Sequence, residues 1–283
     1  MITKTASSKS TSKAAGRRRA AAVRTRKRIS FTIGIPCSGE HERLAYSLNA
    51  LFTYHDCSDI EILIVDDEPS QNTEDLISFY QCKSLPTGEK EKRQVIFENA
   101  SNDFVLCLLP GVMLFPKVID KLKVLPQKYH NDLIQGPIRN FTQKQTHYES
   151  EWSEDGFGVV ANSEIEEVRE IPMQKLDLFF CRRDNWVGSH YLGHDEGYVH
   201  EKFRQAGRRC LCAPWLLWNT QRKRLKPNIP RISSYFKMWN EIGWDVNDIV
   251  SHFSRKFTVQ KMLEIAEKGL GFPVALTFEE LDR

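Results

Sequence analysis

A mostly parallel α/β sheet covered by helices is what this sequence predicts, and three observations predict it. Short β-rich runs alternate with helical-period segments from Phe31 onward. The run Ile60–Val65 (IEILIV) is nearly continuous in apolar residues, as a strand buried on both faces is, and it ends on Asp66-Asp67. Phe104–Leu109 is a second such run and ends at Pro110-Gly111.

The elements follow in order. Phe31–Cys37 (FTIGIPC) reads as the first strand. About Glu40 to Tyr54 reads as a helix, with Leu44, Leu48, Leu51 and Phe52 on one face. Ile60–Val65 is the next strand, and Thr73–Cys82 the next helix, with Leu76, Ile77 and Tyr80 as its stripe. Gln94–Phe97 and Phe104–Leu109 read as two further strands. Lys117–Leu125 reads as a helix aligning Val118, Leu122 and Leu125, and Asp132–Gln135 as the start of another strand. Asn140–Glu170 is polar and irregular, a long functional or disordered loop. Order resumes at Leu176–Cys181 and Trp186. A helix from about Glu196 to Ala206 stops at Gly207, and Arg209–Ala213 is a short strand, followed by Trp215 to Trp218. Lys223–Pro230 is basic and bounded by proline, a linker, and helical patterns cover Ile232–Ile242, Val246–Phe253 and Val259–Glu267.

Composition narrows the class. The chain has 283 residues, 41% hydrophobic and 27% charged, which suits one large domain with appendages. No window reaches the roughly 18 apolar residues of a membrane-spanning helix. Seven cysteines, odd in number and without a CxxC pair, point to reduced thiols in a cytosol-like compartment rather than to a disulfide framework or a zinc site. The net charge of +3 is split. Residues 1–29 carry ten Lys or Arg and no acid, leaving 30 basic against 37 acidic residues in the remainder. So polar a segment buries too little surface to offset its ordering entropy, and it reads as a flexible arm. The arm suits an anionic partner such as nucleic acid or an acidic protein surface, an organellar targeting segment, or a solvated tail.

Two long matches carry a family resemblance. FTIGIPCSGEHERLAYSLNAL followed by EILIVDDEPSQNTEDL resembles the nucleotide-binding half of family 2 glycosyltransferases with the GT-A (Rossmann-like) fold. EIPMQKLDLFFCRRDNW and GHDEGYVHEKFRQAGRRCLCAPWLLW resemble the acceptor-side block of a bacterial and viral branch of that family. The match runs from about Phe31 to Trp218 and weakens through SSYFKMWNEIGWDVNDIVSHF. It implies a basic arm over residues 1–29, a GT-A domain over 30–222, and a linker with a helical extension over 223–283. The setting it implies is cytoplasmic or viral.

Ligands on such sheets sit at the carboxyl ends of the strands. Pro36, Cys37, Asp66 and Asp67 are therefore the donor-binding candidates. A carboxylate there accepts hydrogen bonds from a nucleobase N–H or ribose hydroxyls, although D-D-E-P-S is also good strand-exit turn chemistry. The resemblance makes Glu196 the general base that deprotonates the acceptor hydroxyl, with Asp195 orienting the acceptor. The same acids suit a helix N-terminus. Trp186, Trp215 and Trp218 are candidates for an acceptor groove and equally for core packing. His200, within a helix, reads as a packed or solvated histidine, and with His194 it forms no metal spacing. Cys210 and Cys212 read as buried packing.

The family pattern also fails at named positions. Leu109, Pro110 and Gly111 stand where an Asp-x-Asp holds a divalent cation, and none offers a side-chain oxygen. Asn219 and Thr220 follow Trp218 where a histidine ligand commonly stands, and Lys175 and Asp177 replace two glycines. No cofactor is expected, with Mg²⁺ or Mn²⁺ admitted only through other ligands. Arg222, Lys223 and Arg224 are the nearby cations available to meet a diphosphate. Two functions stay open: a nucleotide-sugar transferase with a degenerate metal site, and a glycosyltransferase-derived structural protein anchored through its arm.

Overall fold

The computed structural model describes residues 28–88, 90–140, 145–152, 158–161, 164–188, 196–221, 229–243, 245, 250 and 257–271. The strands are β1 (Phe31–Cys37), β2 (Glu61–Asp66), β3 (Lys83–Leu85), β4 (Phe104–Leu108), β5 (Val112–Leu114), β6 (Leu133–Gln135) and β7 (Ile138–Asn140). They continue as β8 (Gln145–His147), β9 (Glu149–Trp152), β10 (Gly158–Ala161), β11 (Arg169–Glu170), β12 (Leu178–Arg182), β13 (Cys210–Cys212) and β14 (Trp218–Thr220). The helices are α1 (His41–Tyr54), α2 (Gln71–Phe79), α3 (Lys92–Asn99), α4 (Val118–Leu122), α5 (Glu196–Gln205), α6 (Ile229–Glu241) and α7 (Val259–Leu270).

Eight strands form the main sheet in the order β11-β13-β6-β12-β4-β1-β2-β3. Its β4-β1-β2-β3 half is parallel throughout, and β12 runs antiparallel to β4. The period of two along each strand sorts side chains between two cores. Phe31, Ile33, Ile35 and Cys37 join Leu106 and Leu108 under α1 and α4. Leu63, Val65, Val105 and Cys107 face the opposite way, against α3, α5, α6 and α7. The C-terminal helices thus share a core with the sheet. A smaller sheet, β5-β14-β7-β8, stands at the carboxyl end of β4.

The α3 face of β1 carries only Thr32, Gly34 and Pro36. At Gly34 a Cβ would lie 2.3 Å from the Ile96 side chain, so α3 rests directly on the strand backbone.

Several sequence expectations change. Gln94–Phe97 is helical, within α3, because the Glu91 side chain accepts the Gln94 N–H at 3.0 Å and starts a turn that buries Val95, Ile96 and Phe97 against the sheet. A short apolar run fits either element, and tertiary packing decides. The expected helix Lys117–Leu125 contracts to Val118–Leu122. The polar stretch 140–170 carries β8, β9, β10 and β11, with β9 and β10 paired antiparallel. Strands β3 and β5, three residues each, had no clear pattern. Residues 1–27 of the basic arm, most of the 223–230 linker and most of the 246–253 pattern lie outside the described residues, and Ile229 and Pro230 open α6.

Gly34→Ala should destabilise the fold by about 1–3 kcal/mol through overpacking against Ile96. Urea unfolding measures this, and an unchanged midpoint would mean that α3 shifts without cost.

Candidate functional site

The carboxyl ends of β1 and β2 lie side by side, Cys37 in register with Asp66. Asp66 turns the chain out of β2. Its Oδ1 accepts the N–H of Glu68 and, from across the cleft, that of Gly39, both at 3.0 Å. The turn reading of D-D-E-P-S is therefore met by one oxygen. The other, Oδ2, is buried and has no hydrogen-bond partner, and the residue is only 6% exposed. A buried oxygen left unpaired costs roughly 1–3 kcal/mol, and the Cys37 thiol is the side chain that bonds toward this carboxylate.

Asp67 points the other way. Its Oδ2 accepts from Lys92 Nζ at 2.5 Å, and the same ammonium donates to Ser38 Oγ. Lys92 opens α3 and is buried at 8% exposure. Burial pushes the Asp67 carboxyl up, but the Lys92 hydrogen bond and charge, with the Ser38 hydroxyl, outweigh it and hold the group below the usual carboxylate range. Lys92 was not among the sequence candidates, because its segment read as the approach to a strand. The signal that would have found it is Glu91-x-x-Gln94, which caps a helix at Lys92.

Pro36 and Cys37, expected as donor-binding residues, are buried within β1. Burial pushes the Cys37 thiol up to about 12, with the Asp66 and Glu40 charges adding to the rise.

The two positions expected to have lost metal ligands converge. Strand β14 pairs antiparallel with β5, placing Asn219 opposite Met113 and Thr220 opposite Val112. Gln221 N–H then donates to the Gly111 carbonyl at 2.9 Å. Leu109 is 1% exposed and packs in the α1-side core. Gly111, at φ +92°, gives its N–H to the Arg43 carbonyl and to Ser47 Oγ. The Leu109 N–H bonds the Asp177 carbonyl at 2.8 Å, so the turn is held by α1, by β14 and by the segment before β12. Leu109, Pro110 and Gly111 bring no donor side chain and so do not fit a divalent cation; beside them Asn219 Oδ1 accepts the Thr220 N–H. Among the described residues no three His, Cys, Asp or Glu side chains cluster as ligands.

The acceptor side divides. Trp218 is a core residue rather than a groove wall: it is fully buried, and its indole donates to the Gly136 carbonyl at 2.7 Å. Trp215 is half-buried against the same core. Trp186 stacks on Phe97 at 4.7 Å and Phe179 at 5.1 Å, half-buried, with a buried indole N–H that lacks a partner. Buried Arg93 lies over the Phe179 ring and donates to the Leu176 carbonyl, tying α3 to β12. His200 is fully buried, its Nε2 accepting the Gln174 N–H, and Cys210 and Cys212 are buried too. Glu196 is the first residue of α5. Its side chain, Asp195, His194 and the Arg222-Lys223-Arg224 cluster lie outside the described residues.

This architecture is the GT-A glycosyltransferase fold. The chain superposes on GalNAc-T7 with UDP, GalNAc and Mn²⁺ at a TM-score of 0.62 and 12% identity, covering 86% of this chain and 55% of that one. It thus spans about half the length of that protein. It also superposes on the mannosyltransferase PcManGT of Pyrobaculum calidifontis with GDP-Man and Mn²⁺, at 0.54 and 13% identity over 86% and 74% of the two chains. Staphylococcus aureus TarS 1–349 with UDP-GlcNAc gives 0.54 and 15%, over 86% and 72%. At these identities the likeness is one of fold. No family model matches the sequence, and no curated protein does. Among the described residues no helix is long and apolar enough to cross a membrane.

The Asp67–Lys92 pair sets a pH dependence. A carboxyl depressed on folding adds stability above its unfolded pKa, near about 4, and that stability is lost as pH falls through the lower folded value. Asp67 is 41% exposed, so solvent screening limits the gain to about 1 kcal/mol. Asp67→Asn should therefore be less stable than the parent near neutrality and equal to it in strong acid. A deficit that persists unchanged in acid would contradict the pairing.

Proposed function

We propose that this chain binds a nucleotide sugar across the carboxyl ends of β1, β2 and β4 and transfers its sugar as inverting family 2 glycosyltransferases do. One observation carries the reading: β2 ends on the carboxylates Asp66 and Asp67 directly beside the end of β1, the strand-end position where a nucleobase N–H or a ribose hydroxyl finds an acceptor. Asp67, beside it, keeps an exposed face for the same ligand. Glu196, at the N-terminus of α5, takes the acceptor hydroxyl proton as that oxygen bonds the anomeric carbon and the bond to the nucleoside diphosphate breaks. Asp195 orients the acceptor, Trp186 and Trp215 border it, and Arg222, Lys223 and Arg224 meet the departing diphosphate. The ligands bound in the structural neighbours, UDP, GDP-Man and UDP-GlcNAc, are the chemistry this reading asks for.

A second reading is favoured by the Leu109–Gly111 turn. Its side chains are committed to the core and its backbone to α1 and β14, as in a glycosyltransferase-derived protein that has given up turnover and serves in assembly, with the basic arm gripping an anionic partner.

Glu196→Gln separates the two when nucleotide-sugar hydrolysis and transfer are followed beside thermal unfolding. The transferase reading expects turnover to fall at least about a hundredfold with the unfolding midpoint unchanged. Equal turnover removes Glu196 from the reaction. A parent protein that binds nucleotide sugars and turns none over leaves the second reading.

A further inference from the structure

The cleft contains a cation of its own. Lys92 comes from α3, crosses above β1 and β2, and is nearly as buried as the strands beneath it. A lysine ammonium has three donors. Ser38 Oγ and Asp67 Oδ2 take two, and the third has no partner among the described residues. Asp66 and Asp67 would by themselves repel an anionic ligand. Lys92 cancels one of those charges and leaves a directed N–H⁺ at the site.

At the other end of the cleft, the dication implied by the fold has no ligands at Leu109, Pro110 or Gly111. That turn cannot easily be recruited either, because Leu109 is in the core and the Gly111 N–H already has two acceptors.

We infer that this cleft binds nucleoside diphosphates without a divalent cation, and that Lys92, by pairing with Asp67, removes a carboxylate charge that would otherwise repel the anionic nucleotide. The inference rests on the nucleotide reading above and adds to it how that repulsion is relieved. Lys92 also positions the site: by clasping Ser38 to Asp67 it ties the end of β1 to the end of β2 beside Asp66.

Calorimetric titration of the full chain with UDP and with GDP tests this, in EDTA and in excess Mn²⁺, for the parent, Lys92→Met and Lys92→Arg. The expected result is an affinity that Mn²⁺ changes by no more than about twofold, about a tenfold or larger loss in Lys92→Met, and substantial retention in Lys92→Arg. Tightening by Mn²⁺ of about tenfold or more, or parental affinity in Lys92→Met, overturns the inference while leaving the nucleotide site standing. If neither nucleotide binds the parent under either condition, the site reading falls and this inference with it. The Mn²⁺ and EDTA comparison uses the parent alone, so it decides even if Lys92→Met fails to fold.

Discussion

The closeness of α3 to β1 governs everything at the carboxyl end of the sheet. Gly34 leaves no room for a Cβ beneath Ile96, so the helix lies against the strand backbone rather than a layer of side chains away. That approach lets Lys92, the first residue of α3, reach both Ser38 at the end of β1 and Asp67 just past the end of β2. A helix riding about one side chain higher would leave the two carboxylates facing solvent with no fixed counter-charge. The packing of a glycine inside the sheet thus decides the electrostatics about one helical turn away, at Lys92.

Two demands meet on Asp66. As the exit from β2 it has to close a turn, and it does so with one oxygen, drawing the Gly39 loop toward it at the same time. The second oxygen is buried and makes no hydrogen bond. Turn formation therefore engages only one of the two oxygens of this carboxylate. The Leu109–Gly111 turn is the opposite case. Its Leu109 side chain lies in the core, and its Leu109 and Gly111 backbone groups bond neighbouring backbone.

Much of the fold was legible because burial writes itself into the chain. The two-sided burial of β2 and β4 appears as IEILIV and FVLCLL, and the stripe of α1 as Leu44, Leu48 and Leu51. The carboxylates of the cleft were legible as residues that end a buried strand. What was not legible depended on contacts distant in sequence. Val95-Ile96-Phe97 is apolar in a way that suits strand and helix alike, and only the Glu91 cap and the Gly34 contact make it helical; with that misreading Lys92 was lost from view. Trp218 suited a groove and a core alike, and its partner, the Gly136 carbonyl 82 positions away, decides for the core. The short strands β3 and β5 have too few residues to show a period, and the polar β8–β10 stretch shows none because its pairings carry little burial signal.

A structure of the chain co-crystallised with UDP in the presence of chelator tests the central claim most directly. The account predicts the nucleoside lying over β1 and β2, a donor atom of the ligand within hydrogen-bond distance of Asp66 Oδ2, Lys92 still joined to Asp67, and the Leu109–Gly111 turn unmoved. A nucleotide bound elsewhere, or one held at the β4 end only after that turn has opened around an added Mn²⁺, would contradict it.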